Sequence, residues 1–297
     1  MPKIISLQDR ISGCLLTGAL GDAIGSHFEG RGPTPSIELP NVLRATDDTQ
    51  LTLATCEAMI SSGAAVPETI AANFVRWFRE DRISGIGAST LRAIFELAAS
   101  GHWASVGALG ERAAGNGAAM RIAPVAFVLD PDIDAERTVI RDICRITHRN
   151  DEAYVGALAV VRSIRYVFEG NALGAGLLAH LIEKLPDSRV RDRLNGVGDP
   201  ILTPEQYAAK FPLTGYVVDS VPMSILAAIH ADDAIETIYV ISRCGGDTDT
   251  IASMFGHIYG TGYGSGQLPS DLLDRIDLID ILRPTADQFA EMIGTSR

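Results

Sequence analysis

The chain has 297 residues, 46% of them hydrophobic and 21% charged, a composition that supports a large core and excludes a disordered or repetitive protein. Its 37 acidic residues outnumber 25 lysines and arginines, giving a formal net charge of −12, and no basic cluster tracks a phosphate backbone, so nucleic-acid binding is not expected. An acidic protein that takes an anionic small molecule must find local positive potential in helix N-termini, glycine-loop amides or metal ions.

The four cysteines, Cys14, Cys56, Cys144 and Cys244, stand far apart without zinc-site spacing and read as core thiols. The segment "MPKIISLQDRISGCLL" lacks the features of a signal peptide, and no stretch of about 18 uninterrupted apolar residues is present. The expectation is a single domain over residues 1–297, cytoplasmic, away from membranes and monomeric.

In chain order, "SGCLLTGALGDAIGSHFEGRGP" carries Gly18, Ala19, Gly21 and Gly25 at about one-turn spacing, with Asp22 inside and Glu29 just beyond. Small residues let helices or a ligand approach closely, and Glu29 falls in a loop where a base can reach solvent. Next comes "ATDDTQLTLA", whose apolar series Leu51, Ala54 and Ala58 begins a helix directly after Asp47 and Asp48. One aspartate there is explained by helix capping; a second is not.

Residues 68–80 place Ile70, Phe74, Trp77 and Phe78 on one face, and residues 89–100 repeat the pattern with Leu91, Ile94, Phe95 and Ala98. Both spacings predict amphipathic helices, with Trp77, Phe78 and Phe95 in the core. "GIGAST" at 85–90 and "GTGYGSG" at 260–266 lack the spacing and preceding strand of a dinucleotide fingerprint and read as loops. "RAAGNGAAMR" has a glycine turn at Gly115, Asn116 and Gly117 whose amides suit a diphosphate, although no lysine follows as in a nucleotide-binding loop.

His148 stands just before a helix at 151–169, and further helices are predicted at 171–185, 219–230 and 232–243. Residues 186–216 mix four prolines with three glycines and read as a surface excursion or lid. "GGDTDT", with Asp247 and Asp249 around Thr248, repeats the grammar of the first acidic stretch before another apolar helix, and "LPSDLLDRIDLIDILRP" closes the series with a cap and a terminal proline. The sum is an all-α fold.

Four carboxylates meeting in space would repel by several kcal/mol unless protonated or neutralised. Oxygen donors without nearby histidine or cysteine point to two hard cations, Mg²⁺ or Mn²⁺. Whether the two stretches meet is a question for the tertiary structure.

Taken in order, "GALGDAIGSHFE", "TDDT", "GNGAAMR", "TH" and "GGDTDT" resemble the ADP-ribosylglycohydrolase family from about residue 12 to 264. The resemblance implies a compact orthogonal bundle of α-helices with a di-metal cleft formed by helix ends and loops. It also implies hydrolysis of the bond between ADP-ribose and a modified protein side chain, or a related ADP-ribose conjugate, with arginine slightly favoured. Residue by residue it makes Thr46, Asp47, Asp48, Asp247, Asp249 and Thr250 the metal ligands and Glu29 the catalytic or gating glutamate. Gly115, Asn116, Gly117 and Met120 correspond to the diphosphate and ribose loop, and His148 to a substrate-cleft position. A carboxylate, Glu29 or Asp48, is the expected activator of water. Arg149 is a bulky cation where serine-directed relatives have a small residue, which weighs against serine specificity. A di-metal phosphohydrolase and a catalytically inactive relative are the competing readings.

Overall fold

The computed structural model describes residues 5–295. Among these, the helices in chain order are α1 (Leu7–Gly25), α2 (Asp47–Ser62), α3 (Pro67–Arg79), α4 (Ala88–Ala98), α5 (Trp103–Val106), α6 (Asp134–Arg145), α7 (Asp151–Phe168) and α8 (Ala175–Lys184). They continue as α9 (Arg189–Gly196), α10 (Pro204–Lys210), α11 (Val217–His230), α12 (Ala234–Cys244), α13 (Thr248–Tyr263), α14 (Ser270–Leu273) and α15 (Ile279–Thr295). The strands β1 (Ala108–Leu109) and β2 (His148–Arg149) form one short parallel pair, so the chain is all-α. None of the described helices is long and apolar enough to cross a membrane.

The centre of the bundle is the pair α1 and α13, both buried along most of their length. Their backbones come together because the facing positions are glycines. A Cβ on Gly21 would collide with the carbonyl of Ala252, and one on Gly25 would lie 2.6 Å from the Cα of Asp249. Glycines here serve helix packing, the simpler of the two roles open to them from sequence. Gly21→Ala is therefore expected to cost about 1–3 kcal/mol through overpacking, read as a lower melting temperature; an unchanged melt would contradict so close an approach.

Around this pair, α11 and α12 pack on α13, α7 packs on α11 and α13, and α15 covers α1 and α2. The periodic apolar face of α3 does what its spacing predicts: Ile70, Phe74 and Trp77 are fully buried. Phe95 differs, being 55% exposed at the surface of α4 while its ring meets Phe78 edge-on. Periodicity placed it on the apolar face, but α4 is a peripheral helix and its end of that face has little to cover it.

Three other segments depart from their sequence reading. Residues 186–216 are no loose excursion: α9 and α10 cross them, and Val190, Leu194 and Tyr207 are fully buried against the bundle. Gly260–Tyr263 continues α13 as helix; Gly260 is there not for a turn but because its close approach to Gly13 on α1 leaves no room for a side chain. Pro284 does not end a helix but lies inside α15, and Asp280, whose carbonyl loses its usual donor there, is exposed to water.

Candidate functional site: a carboxylate-lined cleft

The first acidic stretch is organised by a residue from another helix. Asp22, fully buried on α1, accepts hydrogen bonds from Thr46 N at 2.9 Å, Thr46 Oγ1 at 2.7 Å, Thr49 N at 3.1 Å and Thr49 Oγ1. It thereby caps α2 from outside, while Thr46 at the N-cap position makes no side-chain capping bond of its own. Asp47 and Asp48, in the first turn, are consequently free of the capping duty that explained one of them from sequence.

The second stretch is set by two glycines with positive φ, Gly245 at 75° and Gly246 at 84°, a conformation that L side chains avoid. The turn hydrogen-bonds to the loop after α1, Gly246 N donating to Arg31 O and Gly30 N to Gly246 O, which brings Glu29 beside Asp247 and Asp249. Thr248 Oγ1 donates to Gly25 O at 2.8 Å and ties the start of α13 to the end of α1. The two acidic stretches meet directly: Thr250 Oγ1 donates to Asp48 Oδ2 at 3.2 Å across 202 positions of sequence.

Between them opens a cleft of about 260 Å³. Glu29, Asp47, Asp48, Asp247, Asp249 and Thr250 line one part of it, and Gly115, Asn116, Gly117, Met120 and His148 line another. Thr46 does not line the cleft; its hydroxyl bonds Asp22 and lies 3.3 Å from Asp48 Oδ2. Asn116 links the two parts, its side-chain N–H donating to Asp247 Oδ2 at 2.6 Å. Its backbone N–H is taken by Gly215 O, so that amide is not free to meet an anion.

Sequence reasoning missed part of this wall. Gly85, Gly87, Ala88, Ser89 and Thr90 line the cleft, as does Gly215; the failed dinucleotide pattern concealed a glycine-rich entrance to α4. Asp22 was passed over among small residues, although a lone charge within a segment otherwise built to be buried was a usable signal. Arg149 is the converse case. It is absent from the lining, and its guanidinium donates to Ser105 O at 2.7 Å, so its size does not bear on the cleft.

Burial dominates the electrostatics. It raises Asp47 to about 8, with the charge of Asp22 adding to the shift, and Asp249 to about 9, with the charge of Asp247 next. Asp22 and Asp247 are each raised to about 6 by burial, against the hydrogen bonds that they accept. Asp48 is pushed well above the carboxylate range by burial and then by the charges of Asp22 and Asp249, and its Oδ1 is buried without a partner.

Oxygens of Asp22, Asp48 and Asp249 lie within 4.8 Å of one another, as do those of Glu29, Asp247 and Asp249. The groups share Asp249 and include the orphaned oxygen of Asp48, a donor set that fits hard divalent cations; Asp22, already accepting four hydrogen bonds, backs the first group from behind the cleft. The sign of the pH dependence follows. Without cations the folded chain retains protons that the unfolded chain releases near pH 4, so stability falls as pH rises from about 4 to about 9. Thermal melts in chelator should show that decline. Mg²⁺ at 100 times its Kd should raise the melting temperature by roughly 5 °C and flatten the decline; melts indifferent to both pH and Mg²⁺ would rule the site out.

The family model for ADP-ribosylglycohydrolases matches residues 4–297. The chain belongs to the ADP-ribosylglycohydrolase family. It is 26% identical to human ADP-ribosylhydrolase ARH3 over 88% of this chain and 87% of that protein. It is 25% identical to the ADP-ribosylarginine hydrolase Tri1 of Serratia proteamaculans over 98% of this chain and 81% of that one. A solved structure titled ADP-ribosylglycohydrolase-related protein complex superposes with a TM-score of 0.79 at 25% identity, covering 96% of this chain and 98% of its own. The helical fold and the enzyme class, an ADP-ribosyl glycosidic hydrolase, are thereby shared.

Proposed function

We propose that this ADP-ribosylglycohydrolase hydrolyses the glycosidic bond between ADP-ribose and an arginine side chain of a modified protein, using two divalent cations, Mg²⁺ or Mn²⁺. Asp47 and Asp48 would hold the cations from one side, with Thr46 set behind them and its hydroxyl oxygen, whose hydrogen goes to Asp22, as a further ligand, and Asp247, Asp249 and Thr250 from the other. The observation that carries this reading is the Thr250 to Asp48 hydrogen bond, which joins the two acidic helix starts at one cleft. Arginine is favoured on charge: Glu29 is exposed at a cleft that is otherwise carboxylate-rich, a setting that attracts a guanidinium group. The similarity to Tri1, named for ADP-ribosylarginine, supports the same choice.

Bound cations supply charge neutralisation for the aspartates and oxygen coordination for ribose hydroxyls. The chain's own residues do the rest. Asp22 fixes the turn that carries Asp47 and Asp48, and Asn116 fixes the Asp247 carboxylate. Gly115, Gly117, Met120 and His148 receive the diphosphate and adjoining ribose. Glu29, or the buried Asp48, accepts a proton from water as its oxygen bonds to C1″. The C1″–N bond breaks with its electron pair going to the guanidine nitrogen, and the proton that the carboxylate took from water passes to that nitrogen, so arginine leaves as guanidinium. Holding the carboxylates rigidly makes the attack effectively unimolecular.

The test is product identity. Purified enzyme is incubated with ADP-ribosyl-arginine, ADP-ribosyl-serine and O-acetyl-ADP-ribose, with Mg²⁺ or with chelator, and scored by mass. Intact ADP-ribose released in Mg²⁺, fastest from arginine, is the expected result. Release of AMP would replace the reading with a phosphohydrolase, and no product from any substrate would make the chain an inactive relative.

A further inference from the structure

Among the described residues Arg121, behind the cleft wall, makes no direct ion pair, although the charge of Asp47 acts on it from a distance. It is 1% exposed, its Nε has no partner, and its hydrogen bonds go to neutral groups: Nη2 to Thr147 Oγ1 at 2.6 Å and Nη1 to Ala118 O at 3.5 Å. The Phe74 ring lies 5.0 Å from its guanidinium carbon. A buried charge without a direct ion pair is costly, so the bond to Thr147 calls for an explanation.

Its consequence is a fixed direction of donation. A guanidinium only donates, so Thr147 Oγ1 accepts from Arg121. The hydroxyl then has a single hydrogen, and its other partner is His148 Nδ1 at 2.8 Å. With Thr147 fully buried, that hydrogen goes to the ring, making Nδ1 an acceptor and leaving the ring proton on Nε2. Nε2 faces the glycine loop: a Cβ at Gly115 would come within 3.1 Å of it, and one at Gly117 within 2.8 Å of Cε1. Two residues without side chains keep that edge of the imidazole open to the cleft that His148 lines.

We propose that Arg121 and Thr147 are positioning residues that lock His148 as the neutral Nε2–H tautomer, so that it donates a hydrogen bond to an oxygen of bound ADP-ribose and takes no part as acid or base. The inference rests on the proposed reading of the cleft as an ADP-ribose site. Burial, followed by the charge of Arg121, independently holds His148 down to about 3, far from the range in which it would exchange protons with substrate. Cys144, whose Sγ lies 3.7 Å from the His148 carbonyl, is raised by burial and stays neutral there.

The tautomer is read from long-range ¹H–¹⁵N spectra of the Mg²⁺-loaded enzyme with ¹⁵N-labelled histidine, His148 being assigned from the signal lost in His148→Gln. The expected pattern is an unprotonated Nδ1 and a protonated Nε2, unchanged from pH 5 to 9, with the Nε2–H resonance moved by ADP-ribose. Thr147→Val should weaken ADP-ribose binding about tenfold at unchanged Mg²⁺ affinity, and Thr147→Ser should restore it. A protonated Nδ1, an imidazolium within that pH range, or Thr147→Val binding as wild type overturns the relay and leaves the cleft assignment standing. The expected tautomer with a resonance unmoved by saturating ADP-ribose overturns the donor role and the cleft assignment together.

Discussion

Asp48→Asn is expected to lower ADP-ribose release by about two orders of magnitude or more, the scale of losing one preorganised charge at a reacting centre. The carboxylate is 1% exposed, one oxygen meets Thr250 Oγ1 and the other has no partner. Asparagine keeps the shape but turns half of the group into a donor, which a cation site repels. Stability should move the other way. In the cation-free protein Asp48 is a buried acid held neutral by burial and by the charges of Asp22, Asp249, Asp47 and Asp247, so replacing it removes the cost of holding that proton at pH 8. The variant should melt higher than wild type in chelator at pH 8 and gain less from Mg²⁺. A variant that keeps wild-type turnover, or melts lower in chelator, would remove Asp48 from the site.

Asp22→Ala should destabilise the protein by roughly 2–4 kcal/mol, several times a single hydrogen bond, because two backbone amides and two hydroxyls of Thr46 and Thr49 lose their acceptor at once. The melting temperature would fall by about 5–10 °C. Activity should fall too, although Asp22 is not among the residues lining the cleft. An untethered first turn of α2 misplaces Asp47 and Asp48, and losses of about 10–100-fold in metal affinity are usual when a residue orienting metal ligands is removed. Asp22→Asn, which retains one acceptor oxygen, should fall between wild type and alanine in both melting temperature and Mg²⁺ titration. Equal behaviour of all three proteins would show that the start of α2 holds itself.

Much of the fold was written locally. The series Ile70, Phe74 and Trp77 specifies a buried helical face by spacing alone, and α3 buries those residues. Gly245 and Gly246 announce a turn that only glycine takes easily, and the paired acids at the starts of α2 and α13 stood out because capping would explain at most one carboxylate at a helix start. The motif order was enough to suggest the family that the full-length match establishes.

Other features were decided by contacts between distant segments. Asp22 reads in sequence as one more position in a helix of small residues; it becomes the anchor of α2 only when that helix lies under Thr46 and Thr49. Arg149 reads as an obstacle to substrate until its guanidinium is found on Ser105. Phe95 obeys its helical period and is still 55% exposed, because α4 lies at the rim. The sequence by itself determined where helices start, which faces they bury and which acids were surplus to capping, since these depend on neighbours three or four residues away. Only the tertiary structure decided that Asp48 meets Thr250 and that residues of the Gly85–Thr90 segment line the cleft beside Asp47, since those contacts join segments far apart in sequence, as does the close packing of α1 on α13 that glycines on both helices permit.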